Sequence, residues 1–308
     1  MTITALNAEF AIPGVLRFSE GRGGLAMIEI DNGLATATIS PYAGQVLAYR
    51  PASAPDDLLF VSERAYYAPG KAIKGGIPVC WPWFGPDPEE KGRGGHGFVR
   101  AWPWQVRTCE LAPDGAVLVR LGLADTAETR AIWPAFFNLW LEVTVGTTLS
   151  VALVTRNAGD TPLRITQGLH TYFRVGDVTE IRVTGLDGCR YLDKAANATT
   201  AAPIRQDGTV TVASEVNRIY EQVPATLTIE DPVLSRRILI KAECSQTAVV
   251  WNPWVETAQA MDDLDDRDYL RFICVETVNT ASEVIEIAPQ DDYRLAAEYR
   301  IESLMAHA

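Results

Sequence analysis

Residues 25–40 read LAMIEIDNGLATATIS, and this stretch shows the pattern that decides the fold. Two short apolar runs, Leu25 to Ile30 and Leu34 to Ser40, flank the turn residues Asp31, Asn32 and Gly33. An Asn-Gly pair between two β-like runs is a strong hairpin signal, because both residues tolerate the left-handed backbone of a tight turn. We therefore predict an antiparallel hairpin over these residues.

The same arrangement recurs along the chain. Trp102 to Leu111 and Ala116 to Ala124 form a second predicted hairpin, and Phe136 to Val145 and Thr148 to Asn157 form a third. Further β-like runs continue from LRITQGLHTYF to the last stretch, YRLAAEYRIESL, which fits helix or strand and is predicted as a strand. Many short alternating runs joined by turns are typical of an all-β sandwich or barrel.

Nothing in the sequence marks a domain boundary, since there is no linker, internal repeat or strand–helix–strand order. The first twenty residues have little periodicity and are predicted to be an edge segment. We predict one β-domain over residues 1–308, with its core at about 25–304, because antiparallel sandwiches reach this size as one unit. Helix is expected to make up less than about one-fifth of the chain, against a globular average of roughly a third.

The bulk composition excludes several classes of function. A net charge of −12 argues against nucleic acid and anionic membranes as partners, although a local cationic pocket can still bind a phosphorylated small molecule. No apolar run approaches the ~20 residues of a membrane span, and no secretory signal is visible. Five scattered cysteines without a CxxC pair predict reduced thiols and a cytoplasmic location. The oligomeric state stays open, a monomer included.

Residues 71–100, KAIKGGIPVCWPWFGPDPEEKGRGGHGFVR, have a chemistry found nowhere else in the chain. Proline and glycine at this density exclude a regular helix or a central strand. The segment fits an ordered binding loop with an aromatic floor, and equally a packed loop whose tryptophans fill the core. Its aromatic and basic side chains are Trp81, Trp83, Phe84, Lys74, Arg93 and Arg100.

Three titratable residues are candidates for chemistry. His170 ends the β-like run LHTYF, where a core role and a functional role are equally open, whereas His96 lies between glycines and favours function. Alternation in FICVETV places Glu276 on the same face as Phe272 and Cys274. Burial there would raise its pKa towards the range of a general base, and a strand-edge glutamate that reaches solvent is the alternative.

Signatures of other chemistries are missing: the sequence has no P-loop, no GxGxxG after a strand, no GxSxG and no HExxH. Three histidines, of which the penultimate His307 is expected at the surface, leave little material for a metal site. What remains is histidine, carboxylate, arginines and aromatic loops such as WNPW, residues 251–254. That set suits proton transfer on a carbohydrate, which stacks on tryptophan and is polar at its edges.

Several of these motifs resemble those of the aldose 1-epimerases, and most narrowly the glucose-6-phosphate 1-epimerase branch of that family. They occur in order between about Gly33 and Pro289 and read KGGIPVCWPWFGP, GHGFVR, LHTYFRVGD, WNPW and FICVETVN. The resemblance implies a galactose-mutarotase-like β-supersandwich and an isomerase that uses no metal or organic cofactor.

The resemblance also implies roles for individual residues. His170 would be the general acid and Glu276 the general base, with His96 in the sugar site and Asp263 in contact with a sugar hydroxyl. The other predicted substrate contacts are Lys74, Trp83, Phe84, Arg100 and Trp251.

Two positions depart from the pattern of the branch. Lys74 stands where arginine is usual, so it keeps the positive charge but loses the bidentate fork that suits phosphate. Asn217 replaces an acidic residue in a motif whose Arg218 and Tyr220 match.

Together these observations predict an enzyme that interconverts the α and β anomers of a hexose 6-phosphate, with glucose 6-phosphate as the implied substrate. A protonated His170 facing an ionised Glu276 near neutral pH would suit ring opening. Three alternatives remain: a mutarotase for free hexoses, a carbohydrate-binding or sensor protein without turnover, and a structural β-sandwich with a tryptophan-rich core.

Overall fold

The computed structural model describes residues 1–304. Most of the regular secondary structure in this range is antiparallel strand. Strand accounts for 45% and helix for 10%, which confirms the prediction of an all-β protein with little helix. No helix in this part of the chain is long and apolar enough to cross a membrane. The α-helices are α1 (Ile3–Phe10), α2 (Ala127–Ile132) and α3 (Trp254–Gln259), and 3-10 turns cover Arg22–Gly24, Val99–Ala101 and Asp268–Arg271.

The hairpin predicted from residues 25–40 belongs to a small antiparallel sheet near the N-terminus. Asn32 fixes its turn, because the side-chain Oδ1 accepts from the backbone N–H of Leu34 (3.1 Å) and of Ala35 (2.9 Å). Gly33 follows with φ +75°, in the region that favours glycine. The first twenty residues supply the edge strand, as predicted, and also α1, which the sequence analysis missed. In spatial order the strands are β1 (Leu16–Glu20), β2 (Ala26–Asp31), β3 (Ala35–Ser40) and β4 (Gln45–Pro51).

An eight-stranded antiparallel sheet, here called the scaffold sheet, contains the other two predicted hairpins. They are β6 (Gln105–Leu111) with β7 (Val117–Ala124), and β8 (Phe137–Val145) with β9 (Leu149–Asn157). The C-terminal stretch is a strand, as predicted, and lies in the middle of this sheet. In spatial order the strands are β13 (Arg182–Thr184), β17 (Thr226–Asp231), β18 (Arg236–Glu243), β22 (Asp292–Ser303), β9 (Leu149–Asn157), β8 (Phe137–Val145), β7 (Val117–Ala124) and β6 (Gln105–Leu111).

A second eight-stranded sheet, here called the cavity sheet, is less regular. Its central strand, β20 (Phe272–Asn279), pairs on one side with β19 (Thr247–Asn252). On the other side it pairs with β11 (Gln167–Leu169) and then with β12 (Tyr172–Arg174). In spatial order the strands are β15 (Ile204–Arg205), β14 (Arg190–Asp193), β16 (Val216–Glu221), β19 (Thr247–Asn252), β20 (Phe272–Asn279), β11 (Gln167–Leu169) and β5 (Val79–Cys80), with β12 (Tyr172–Arg174) also on β20.

The run LRITQGLHTYF, predicted as one strand, is divided among three. Its first part, β10 (Leu163–Ile165), pairs with β21 (Ile285–Ile287) outside the two large sheets, and β11 and β12 follow in the cavity sheet. In the break between β11 and β12, the backbone N–H of Thr171 turns back to the carbonyl of Leu169 (3.0 Å), so it does not pair with β20, while the N–H of His170 donates to the carbonyl of Pro78 (3.0 Å). This break positions the candidate site.

The main core contains buried residues from every sheet, and the two faces of β20 contribute differently. Ile273 and Val275 belong to the main core cluster, together with Tyr299 of β22, whereas Phe272 and Cys274 belong to a separate cluster on the other face. The predicted alternation along β20 is therefore confirmed. That the whole chain forms one domain stays a prediction.

Candidate active site

A cavity of about 630 Å³ lies over the face of the cavity sheet that points away from the main core. Seven of the nine predicted site residues line it, namely His170, Glu276, Lys74, Phe84, His96, Arg100 and Trp251. A groove of about 490 Å³ on the small N-terminal sheet has neither histidine nor cysteine among its lining residues. The side chains with acid–base potential therefore point to the first cavity as the candidate site.

Strand register brings His170 and Glu276 together. Leu169, the last residue of β11, pairs with Thr277, and β12 resumes with Tyr172 opposite Cys274. The break between the two strands therefore lies beside Glu276, and His170 is the first residue in it. Glu276 itself is 2% exposed, so the alternative of a strand-edge glutamate that reaches solvent does not hold.

The two side chains are close but incompletely hydrogen-bonded. Nε2 of His170 lies 3.5 Å from Oε1 of Glu276. The imidazole stacks on the ring of Tyr172, with ring centres 4.9 Å apart, and Trp251 meets its edge at 5.9 Å. Nδ1 of His170 and Oε2 of Glu276 have no hydrogen-bond partner within residues 1–304. The protein therefore leaves hydrogen-bonding capacity unused on both members of the pair.

Burial opposes charge on both members of this pair. It raises the pKa of Glu276 well above the usual 4.5, with a smaller opposite effect from Arg100. It lowers the pKa of His170 well below 6.5, and the positive charges of Arg100 and Lys74 act in the same direction. Burial therefore favours a neutral imidazole and a protonated carboxyl, the reverse of the proton distribution expected from the sequence. Either distribution leaves one proton on the pair and no net charge.

His96 is held as a neutral hydrogen-bonding group. Its backbone lies in the left-handed region, at φ +63°, and its N–H donates to the carbonyl of Gly85 (2.7 Å). Nδ1 accepts from the N–H of Gly85 (3.3 Å), which assigns the ring proton to Nε2. Burial, followed by the positive charges of Arg100 and Lys74, lowers the pKa of His96 to about 3. The ring can therefore donate to a sugar oxygen but carries no charge near neutral pH.

Two of the basic residues from the loop at 71–100 reach the cavity. Lys74 Nζ lies 3.3 Å from Oδ1 of Asp263, which places Asp263 beside the cavity but not among its lining residues. Arg100 donates to the carbonyl of Gly95 (2.9 Å) and lines the cavity. Arg93 is instead committed to an ion pair with Asp87.

Sequence reasoning missed one cation. Lys194 follows β14, and its backbone N–H donates to the carbonyl of Asn217 on β16 (2.7 Å). Both residues line the cavity. Only the register of β14 on β16 brings Lys194 there, and no local motif in the sequence signals that register. Asn217 had a signal, since it is one of the two departures from the motif pattern.

Both tryptophans of the loop at 71–100 fill the core, as the second interpretation of that loop predicted. Trp81 is fully buried and donates its indole N–H to Oγ1 of Thr155 (3.1 Å), and Trp83, 3% exposed, donates to the carbonyl of Gly94 (3.0 Å). Neither lines the cavity, so the structure places Trp83 in the core and not in contact with a substrate. A buried indole needs a partner for its N–H, and both find one in the protein. Phe84 and Trp251 do face the cavity.

The site also contains a set of potential metal ligands that the sequence analysis did not anticipate. Cys274 lies on the same face of β20 as Glu276, and the donor atoms of Cys274, Glu276 and His170 lie within 4.8 Å of one another. All five cysteines of the chain are free. The remaining histidine, His307, lies outside the described residues.

Known proteins share this sequence pattern and fold. A family model described as aldose 1-epimerase matches residues 26–300. A protein of Escherichia coli K12, provisionally named a glucose-6-phosphate 1-epimerase, is 33% identical over 277 residues, which cover 90% of each chain. A protein of Cenchrus ciliaris with the same provisional name is 34% identical over 268 residues, covering 84% of this chain and 79% of the relative.

Among solved structures, a Salmonella typhimurium protein described provisionally as a mutarotase aligns with a TM-score of 0.87 and 29% identity, covering 98% of this chain and 99% of that one. The mutarotase-like β-sandwich predicted from the motifs is thereby confirmed. Because the family model covers most of the sequence, the chain belongs to the aldose 1-epimerase family.

Proposed function

We propose that this protein interconverts the α and β anomers of a hexose 6-phosphate, with glucose 6-phosphate as its first candidate substrate. The observation that carries the proposal is the buried pair of His170 and Glu276, 3.5 Å apart, in the wall of a cavity that is also lined by Lys74, Arg100 and Lys194. The provisional names of two curated relatives support the same substrate.

The reaction needs one proton acceptor and one proton donor. Glu276 takes the proton of the anomeric hydroxyl as that oxygen becomes a carbonyl, the bond from the anomeric carbon to the ring oxygen breaks, and His170 gives a proton to the ring oxygen. After the aldehyde end rotates, reclosure on the other face returns both protons to their origins. Positioned groups of this kind contribute ~100- to 10,000-fold in rate.

Substrate binding has to move the shared proton from Glu276 to His170 before ring opening. Because the pair carries no net charge in either form, the move costs only the separation of charge inside the pair. Hydroxyl groups that donate to Oε2 of Glu276, which has no protein partner within residues 1–304, favour the ionised carboxylate. Arg100 acts in the same direction. The open Oε2 thus couples binding to the reactive form.

The cations support a phosphorylated substrate in a chain whose net charge is −12. Arg100 has a backbone carbonyl as its hydrogen-bond acceptor, and Lys194 is exposed at the cavity, so both can turn towards an anion. Charge-assisted hydrogen bonds to phosphate are roughly twice as strong as neutral ones. Lys74 differs, because Asp263 already neutralises much of its charge. We infer that Arg100 and Lys194 contribute more to phosphate binding than Lys74.

The ion pair between Lys74 and Asp263 also favours a second candidate, a mutarotase for free hexoses. In that case Lys74 would hold the Asp263 carboxylate towards a sugar hydroxyl and would not bind phosphate at all. The same His170 and Glu276 chemistry would apply, and only the requirement for phosphate would differ.

Exchange NMR between the anomeric protons tests both candidates. The acceleration is measured for glucose 6-phosphate and for glucose, each against its own uncatalysed rate in the same buffer. We expect the phosphorylated sugar to be the better substrate by kcat/KM. Equal efficiency with glucose would favour the free-hexose enzyme, and no acceleration of either sugar together with saturable binding would favour a binding or sensor protein.

A further inference from the structure

A cysteine that the proposed proton transfer does not use lies beside the catalytic pair. Cys274 precedes Glu276 by two residues on β20, so both side chains leave the same face of the strand. The thiol is fully buried, and its sulfur lies within 4.8 Å of the donor atoms of both Glu276 and His170. Oε2 of Glu276 has no partner in the described chain, although the residue is more than nine-tenths buried. Such atoms are normally paired, which points to a ligand.

The donor set is the one that zinc prefers. Zinc binds imidazole nitrogen and carboxylate oxygen at about 2.0–2.2 Å and thiolate sulfur at about 2.3 Å, usually as a tetrahedron. Two donors of such a tetrahedron lie roughly 3.3–3.6 Å apart by geometry. Nε2 of His170 and Oε1 of Glu276 are already 3.5 Å apart, and a sulfur within 4.8 Å needs only a small side-chain adjustment. Three protein ligands leave a fourth position open towards the cavity.

We propose that His170, Cys274 and Glu276 form a binding site for a borderline-soft divalent cation, zinc above all, and that the bound ion switches the enzyme off. A thiolate and a carboxylate balance the charge of the ion, so the buried complex has no net charge. The ion occupies the lone pairs through which Glu276 and His170 would exchange protons with a sugar. Magnesium and calcium are poor occupants, because they select oxygen ligands. The inhibitory part of the proposal rests on the proposed function, whereas the binding part does not.

Cobalt tests the binding part without any activity measurement. Tetrahedral Co²⁺ bound to a thiolate shows visible ligand-field bands and a near-ultraviolet charge-transfer band from sulfur to metal. We expect both in the wild-type protein at one ion per chain, and we expect Zn²⁺ to abolish them. Cys244→Ser, which removes an exposed thiol, should keep the charge-transfer band, and Cys274→Ser should lose it.

Zinc affinity should fall by more than about 100-fold in Cys274→Ser, since even changes behind the ligands typically cost 10- to 100-fold. The site is overturned if wild-type protein shows no charge-transfer band, or if the band survives Cys274→Ser and disappears with Cys244→Ser. Circular dichroism checks that each variant is folded, and Cys274→Ala provides a second variant if the serine hydroxyl is not tolerated in the buried position.

Anomer exchange tests the inhibitory part. Zn²⁺ should slow exchange by the wild-type protein and by Cys244→Ser, and a chelator should restore it. In Cys274→Ser the inhibiting concentration should rise by the same factor as the dissociation constant, measured against the zinc-free rate of that variant. Cobalt binding without inhibition would keep the site and overturn the switch. A protein that binds cobalt through Cys274 but shows no exchange in the absence of zinc would instead contradict the proposed function.

Discussion

Strand β8 of the scaffold sheet and strand β20 of the cavity sheet differ in how many of their faces are covered. In β8 buried and partly exposed residues alternate along the whole strand, whereas in β20 every residue is buried. Each strand carries a glutamate. Glu142 on β8 pairs with Arg120 at 2.6 Å and keeps a side chain that is 25% exposed, while the side chain of Glu276 is 1% exposed and faces a histidine.

The difference shows where this fold gains reactivity. The main core covers one face of β20, and the cluster around Tyr172 together with the loop at 71–100 covers the other. A carboxyl on that second face is buried without a cation to pair with, so its pKa rises. The cavity sheet alone would leave Glu276 exposed on its outer face. The cluster around Tyr172 and the loop at 71–100 cover that face, bury the carboxyl and so form the site.

Replacing the glutamate of each strand with glutamine should give the largest difference in activity between β20 and β8. We expect Glu276→Gln and His170→Asn each to slow anomer exchange by at least ~100-fold, because each removes one proton-transfer group. Glu142→Gln makes the same chemical change on the scaffold sheet and should leave exchange near the wild-type rate. Exchange NMR measures the rates, and circular dichroism checks that the fold is intact. Near-normal exchange in either cavity variant would remove that residue from the mechanism.

An arginine that lines the cavity, Arg100, and an arginine on the scaffold sheet, Arg120, give the next largest contrast. A hydrogen bond to a charged group contributes on the order of 1.5–3 kcal/mol, and ~1.4 kcal/mol corresponds to tenfold in affinity. Arg100→Ala should therefore weaken glucose 6-phosphate by roughly 10- to 150-fold and leave glucose almost unchanged. Arg120→Ala, at the surface of the scaffold sheet, should affect neither.

Binding measurements at increasing salt sharpen this test, since part of the attraction to phosphate is screened. Lys194→Ala should follow Arg100→Ala, whereas Lys74→Ala should weaken both sugars, because it releases Asp263. Equal losses of the two sugars in Arg100→Ala would show that the cavity does not recognise phosphate.

The strands of the scaffold sheet could be predicted from the sequence, whereas those of the cavity sheet could be predicted only in part. Hairpin β8–β9 follows directly from alternation and a short turn, since one face is buried and the other is not. Glu276 was found because a carboxylate interrupts an otherwise apolar strand face. The break at His170 was missed, because the run looks like one continuous strand and nothing in it signals that the N–H of Thr171 turns back to the carbonyl of Leu169.

Two further differences have the same kind of cause. Lys194 reaches the cavity only through the pairing of β14 with β16, which no local pattern encodes. Trp83 looked like a substrate contact because composition does not tell which side of a loop faces the cavity, and its indole N–H is bonded to Gly94 inside the protein. The positions of such residues depend on strand pairing and loop packing, which no local sequence pattern encodes.

Tryptophan fluorescence separates the aromatic residues of the cavity from those of the core. Saturating glucose 6-phosphate at about 100 times its dissociation constant should stabilise the protein by ~2.7 kcal/mol and change the emission. The emission change should disappear in Trp251→Phe and persist in Trp83→Phe, because only Trp251 lines the cavity. Thermal unfolding with and without the sugar measures the stabilisation. No shift in melting temperature at millimolar sugar would count against a substrate site here.

The smallest expected effect is on the pH dependence of stability, which depends directly on the pKa shifts of Glu276 and His170. The folded-state pKa of Glu276 is raised above its unfolded value of 4.5, so its contribution to stability is present below pH 4.5 and is lost as the pH rises from there towards the raised pKa. The pKa of His170 is lowered from 6.5, so its contribution is present above pH 6.5 and is lost as the pH falls below it.

Removing each group should therefore change the melting temperature with opposite pH dependence. The melting temperature of Glu276→Gln relative to wild type should increase as the pH rises above 4.5, since the glutamine never has to ionise. That of His170→Asn should increase as the pH falls below 6.5, since the asparagine never accepts a proton. Each unit of pKa shift corresponds to about 1.4 kcal/mol, so calorimetric scans at several pH values can resolve the trends. Parallel curves for the two variants would mean that burial does not govern this pair, and that an ionised Glu276 already faces a protonated His170 before substrate binds.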